Sequence, residues 1–175
     1  MAARLLCIVG RKNAGKTTLT VALCQALARM GRRVMTLKHG HHPALVDREG
    51  TDTWRHFHEG GAERTLIASP EYRVLFERVA DDYDPVGLAR RYMREADIVL
   101  AEGFSRSSLP RIEVWRTGVA SPPLFTTHET PSLWLGVATD DAALRAPCPV
   151  FDLADAGWAQ RAAEAAWTGA QELEP

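Results

Sequence analysis

At 175 residues, with 46% hydrophobic and 25% charged content and a formal net charge of −1, the chain can bury a full core without disulfide or metal staples. The near-neutral charge gives no electrostatic reason to expect a nucleic-acid or membrane partner. Cys7, Cys24 and Cys148 are far apart and outside CxxC spacing, as in reduced cytoplasmic thiols, and the about five apolar residues after Arg4 are too few for a signal segment or a membrane span.

The chain opens with an apolar run closed by glycine, RLLCIVG (4–10), which predicts a buried strand. Residues 16–30 carry Leu19, Leu23, Ala26, Leu27 and Met30 at helical spacing, with Gly31 as the stop. RVMTLK (33–38) predicts a second strand, and Thr51 or Asp52 offers an N-cap for a helix to Glu59. RTLIAS (64–69) and YRVLFER (72–78), joined by Ser69-Pro70-Glu71, predict a hairpin, and Asp84-Pro85 suits the start of a helix over 84–96. DIVLAEG (97–103) reads as a buried strand and RIEVWRT (111–117) as a half-exposed one offering an open edge. SLWLGVATD (132–140) reads as buried, CPVFDL (148–153) as a Pro-interrupted edge strand, and 155–168 as a helix capped by Asp155. This alternation predicts an α/β protein with a three-layer P-loop NTPase fold, its mostly parallel sheet interrupted by an antiparallel hairpin. A single nucleotide-binding domain over 1–169 and a polar tail over 170–175 are expected.

Residues 10–17, GRKNAGKT, match G-x-x-x-x-G-K-[ST] between a predicted strand and a predicted helix, the context this motif requires. Gly10 and Gly15 let the loop curl so that the backbone N–H groups of Asn13, Ala14, Gly15, Lys16, Thr17 and Thr18 can cradle phosphates. Lys16 would reach the β/γ-phosphates and the Thr17 hydroxyl would ligate Mg²⁺. The bland alternative is a glycine-rich turn with a chance lysine. Glu102 emerges at the C-terminal end of IVLAE, where ligands bind in open α/β sheets, and is the candidate second Mg²⁺ ligand.

The loop after the second strand, LKHGHHPALVDREGTDT (37–53), leaves the same sheet edge. Three readings compete: a switch-like loop with Lys38 and His39 near phosphate and Asp47 or Asp52 near Mg²⁺; a transition-metal site of His39, His41 and His42 with His56 or His58; or a solvated loop. Adjacent His41 and His42 rarely reach one ion and no cysteine accompanies them, so no transition metal is assigned.

GRKNAGKTT, LKHGHH…VDREGTDT, GAERTLIAS and DIVLAEGF occur in an order and spacing that resembles the MobB family over about residues 4–140. The resemblance implies a homodimeric, GTP- and Mg²⁺-binding accessory protein of molybdopterin guanine dinucleotide biosynthesis. It implies the guanylyltransferase MobA as partner, with molybdopterin itself a further candidate ligand, and an adaptor role with at most weak GTPase activity. Where the family has a basic residue after EGF, this chain has Ser105 and then Arg106. Arg11 stands where related dimeric P-loop proteins extend a lysine to the partner's nucleotide, so a contact in trans or a plain exposed arginine is expected. Asp140, at the end of a late strand, is a candidate acceptor for the guanine N1–H and N2–H pair, or a turn aspartate. Two alternatives share the P-loop chemistry: an ATP-dependent kinase or ligase of the dethiobiotin synthetase type, and a nickel-insertion GTPase.

Overall fold

The computed structural model describes residues 2–40, 47–79, 84–127 and 130–174. In chain order these form β1 (Arg4–Val9), α1 (Lys16–Arg29), β2 (Val34–Lys38), α2 (Asp52–His58), β3 (Arg64–Ala68), β4 (Arg73–Glu77), α3 (Pro85–Tyr92), β5 (Ile98–Glu102), β6 (Arg111–Trp115), β7 (Trp134–Thr139), β8 (Val150–Asp152), α4 (Trp158–Gly169) and β9 (Gln171–Glu172). They fall into two compact units, Met1–His39 with Asp84–Pro175, and Gly40–Tyr83.

In the first unit Leu5 to Val9 of β1 are all buried, as they must be in a strand covered on both faces. β1 pairs in parallel with β5 on one side and β6 on the other, giving the strand order β2-β5-β1-β6-β7-β8. One sheet face buries Leu19, Leu23, Ala26 and Leu27 of α1 and Ala162, Ala163 and Ala166 of α4. Each fully buried leucine there contributes about 1.5–3 kcal/mol. The opposite face carries Ala89 of α3 with Leu109, Phe104 and Trp134. The result is an α/β fold of three layers with a mostly parallel sheet. Among the described residues no helix is long and apolar enough to cross a membrane.

The second unit holds the expected hairpin: β3 and β4 pair antiparallel with Leu66 opposite Leu75. Thr51 caps α2, its side chain accepting from the Trp54 N–H, and Phe57 of α2 meets Phe76 of β4 at a ring-centroid distance of 6.2 Å.

Four local expectations are corrected. The helix starting after Asp84 ends at Tyr92 rather than 96, with Met93 at its C-cap. Helix α4 starts at Trp158, not 155: Asp155 accepts from the Gly157 N–H and pairs with Arg161, so it orders the turn before the helix. Residues 170–175 are not simply a polar tail, because β9 pairs antiparallel with β1 and Leu173 is buried. The fourth correction concerns β6, which is no exposed edge. It lies between β1 and β7, with Arg111 2%, Ile112 0%, Glu113 0% and Val114 3% exposed.

The polar alternation of β6 survives burial because distant backbone satisfies it. Glu113 accepts from the N–H groups of Leu124 (2.6 Å) and Phe125 (3.2 Å). Burial nevertheless pushes its carboxyl above the usual range, opposed by those two bonds and by Arg11. Glu113→Ala leaves both amides without an acceptor beside a new cavity and should cost about 2–4 kcal/mol in urea unfolding. A raised folded-state pKa means that the native protein holds the proton longer than the unfolded chain. Wild-type stability should therefore fall as pH rises upward from the ordinary carboxyl value, and Glu113→Ala should lose that slope.

Candidate functional site

The turn between β1 and α1 is shaped by its backbone. Asn13 (φ 62°) and Gly15 (φ 104°) adopt left-handed conformations, a pattern that curls successive N–H groups around an anion. At Gly10 a side chain is excluded by proximity, since a Cβ would lie 2.5 Å from the Val114 carbonyl oxygen. Ala14 is fully buried, whereas Thr17 and Thr18 are exposed at the start of α1. The Lys16 ammonium folds back over the loop, donating to the carbonyls of Gly10 (3.1 Å) and Arg11 (3.0 Å). Burial lowers its pKa, partly opposed by the charge of Glu102.

Parallel register brings the remaining groups to this edge. Glu102 stands opposite Ile8 of β1 and opposite Lys38 of β2. Only 8% exposed, its Oε1 accepts from the Thr17 hydroxyl at 3.0 Å and from the Lys38 ammonium at 3.1 Å. A hydroxyl and a carboxylate converging in this way form the hard oxygen donor set that suits Mg²⁺. Among the described residues no group of three or more His, Cys, Asp or Glu side chains could hold a metal ion. His41 and His42 lie outside the described residues.

His39 is tied to the same strand end. Its N–H donates to the Glu102 carbonyl at 2.9 Å, and its ring stacks on Phe104 at 5.0 Å. Gly103 (φ 98°) makes this approach feasible, because a Cβ there would sit 2.9 Å from the His39 Cβ. Lys38 therefore meets Glu102, and His39 packs on the EGF tripeptide.

Beside the loop opens a cleft of about 780 Å³ lined by Arg11, Lys12, Asn13, Arg116, Thr117 and Asp140, among others. Asp140 accepts from the Thr117 N–H at 2.8 Å and from Arg116 Nε at 3.0 Å, which holds its carboxyl below the usual range. Each oxygen keeps a lone pair for a further donor. Arg11 points within its own chain, with Nε 3.5 Å from the Pro122 carbonyl.

Asp47 and Asp52 belong to the second unit. Asp47 accepts from the hydroxyls of Thr51 and Thr53, each at 2.8 Å, and from the Arg48 N–H, so it organises the start of α2. These bonds lower its pKa, those to the two hydroxyls most. Asp52 is the first residue of that helix, and His58 stacks on Trp54 at 4.6 Å. Arg116, which positions Asp140, was not singled out from the sequence; an exposed arginine after a strand carries no local signal of a partner 24 residues away.

The family model of MobB, molybdopterin guanine dinucleotide synthesis protein B, matches residues 5–140. The chain is 34% identical over 119 residues to a molybdopterin-guanine dinucleotide biosynthesis adapter protein of Haemophilus influenzae, covering 67% of this chain and 66% of that protein. It is 33% identical over 122 residues to the adapter of Escherichia coli, covering 68% and 69% respectively. The chain thus spans about two thirds of the length of each of these relatives. A crystal structure of molybdopterin-guanine biosynthesis protein B superposes with a TM-score of 0.68 at 27% identity, covering 94% of this chain and 97% of that one. Bacillus subtilis MobB, at 20% identity and a TM-score of 0.70 over 96% and 98% of the two chains, shares the fold. A phosphate-loop strand–helix turn, a strand-end glutamate in register with it and a family match across both place this chain in the MobB family.

Proposed function

We propose that the chain binds GTP with Mg²⁺ and acts as a cytoplasmic, homodimeric adaptor for the guanylyltransferase MobA in forming molybdopterin guanine dinucleotide, with at most weak GTPase activity. The observation that carries the nucleotide part is the meeting of Thr17 and Glu102, 3.0 Å apart at the mouth of the loop. The hydroxyl and the carboxylate would hold Mg²⁺, whose charge would offset that of the phosphates. Gly10, Asn13, Ala14, Gly15, Lys16, Thr17 and Thr18 would cradle the phosphates, with Lys16 leaving the Gly10 and Arg11 carbonyls for phosphate oxygens.

Lys38 and His39 are the switch-like residues of this reading, through their ties to Glu102. Asp47 and Asp52 would act from the loop and helix that follow. The cleft beside Arg11 and Asn13 suits the nucleoside, with Asp140 as acceptor for the paired N–H donors of guanine, a pattern adenine does not offer. Arg11 is the candidate for a contact in trans. The adaptor role rests on the names of the relatives.

Titration calorimetry should show Lys16→Ala weakening GTP binding by about 10- to 100-fold, the loss of one charge-assisted phosphate contact, with an unchanged unfolding midpoint. Unchanged affinity would refute phosphate binding by this loop. Glu102→Gln, nearly isosteric, should abolish the gain in GTP affinity that Mg²⁺ confers while leaving Mg²⁺-free binding in place. Asp140→Asn presents an N–H to the guanine donors and should reduce the GTP-over-ATP preference by about tenfold. If the wild type prefers ATP, the nucleotide assignment moves to the kinase or ligase class.

A further inference from the structure

On the sheet face opposite α1 the chain buries a positive charge that the nucleotide chemistry does not use. Arg111 is 2% exposed. Its guanidinium donates to the carbonyls of Ser105 (2.8 Å), Ser107 and Leu109 (3.3 Å). All are neutral acceptors, and among the described residues no carboxylate forms an ion pair with it. Glu113, two residues along on the same strand face, has its oxygens engaged by the amides of Leu124 and Phe125. A buried guanidinium without a counter-charge is costly unless an anion meets it.

The surroundings are built for such an anion. Arg111 lines a cavity of about 250 Å³ with Arg106, the hydroxyl residues Ser107, Ser108 and Thr130, and the apolar Leu133 and Trp134. The guanidinium carbon of Arg111 lies over the Trp134 ring, 5.4 Å from its centroid, so the cation and the aromatic ring line the cavity side by side. Two guanidinium groups with hydroxyls suit an anion of more than one charge and several acceptor oxygens, better than a single carboxylate. The volume sits just below the ~300–1,000 Å³ typical of ligand pockets, which limits the ligand to one small ring beyond its anionic group. Arg111 stands in register with Cys7 of β1, on the side away from α1 and Glu102.

We propose that this cavity is a second ligand site, taking a small phosphate monoester whose phosphoryl group meets Arg106 and Arg111 and whose body lies against Trp134 and Leu133. Loop 105–111 is then shaped by Arg111 for binding, with the exposed Arg106 as its variable arm. The site is independent of the nucleotide reading.

The test uses Lys16→Ala protein, so that the phosphate loop contributes little, titrated calorimetrically with phenyl phosphate, inorganic phosphate and benzoate. One phenyl phosphate per chain is expected, bound at least tenfold more tightly than either other probe. Adding Arg106→Ala should weaken it at least tenfold without shifting the unfolding midpoint. No saturable phenyl phosphate binding would overturn the proposal, as would affinity indifferent to Arg106→Ala. Benzoate or inorganic phosphate binding as tightly as phenyl phosphate would overturn it too. Failure of GTP to bind the wild type would bear only on the nucleotide assignment.

Discussion

The parallel pairing of β5 with β1 on one side and β2 on the other, in the register that sets Glu102 opposite Ile8 and Lys38, is the constraint on which the site depends. Parallel strands all end on the same edge, so the loop after β1, the glutamate ending β5 and the lysine ending β2 arrive together without any local sequence link. Slipping β5 by one residue would turn Glu102 to the other face of the sheet, because side chains alternate with period two. Burial of Leu5, Leu6, Ile98, Val99 and Leu100 on both faces penalises such a slip and so protects the chemistry.

Around that edge charges are balanced in pairs that a nucleotide could rearrange. Glu102 gathers Thr17 and Lys38 on one oxygen, and Lys16 rests on two loop carbonyls. The Lys38 ammonium is largely exposed and Lys16 meets only neutral carbonyls, so phosphate and Mg²⁺ would displace either ammonium at little cost. Asp140 is held more firmly, by a backbone N–H and an arginine together. It is thus a fixed acceptor in the cleft rather than a mobile one.

The two polar residues of β6 show how different buried groups divide their work. Glu113 pins the segment around Leu124 and Phe125 to the sheet through backbone amides, and Arg111 pins loop 105–109 through backbone carbonyls. The partners of Glu113 lie in a later segment and those of Arg111 in the loop just before the strand, and neither set is visible in the strand's own alternation. RIEVW reads as a half-exposed strand because alternation ordinarily reports one solvated face. Here the polar face is covered, and satisfied by chain segments that no local pattern ties to it.

The sequence by itself determined most of the elements and the glycine–lysine loop, because each is written in contiguous residues: apolar runs for β1 and β5, a helical stripe for α1, and glycine spacing with a lysine for the turn between them. It also marked Glu102, since a carboxylate closing a buried strand must emerge at the strand's end. Only the tertiary structure decided that Lys38 meets Glu102, that Asp140 is held by Arg116 beside the loop, and that β6 is central while Leu173 is buried. Those outcomes depend on which strands become neighbours and in what register. That choice is made by burying the whole core at once, and no stretch of sequence a few residues long encodes it.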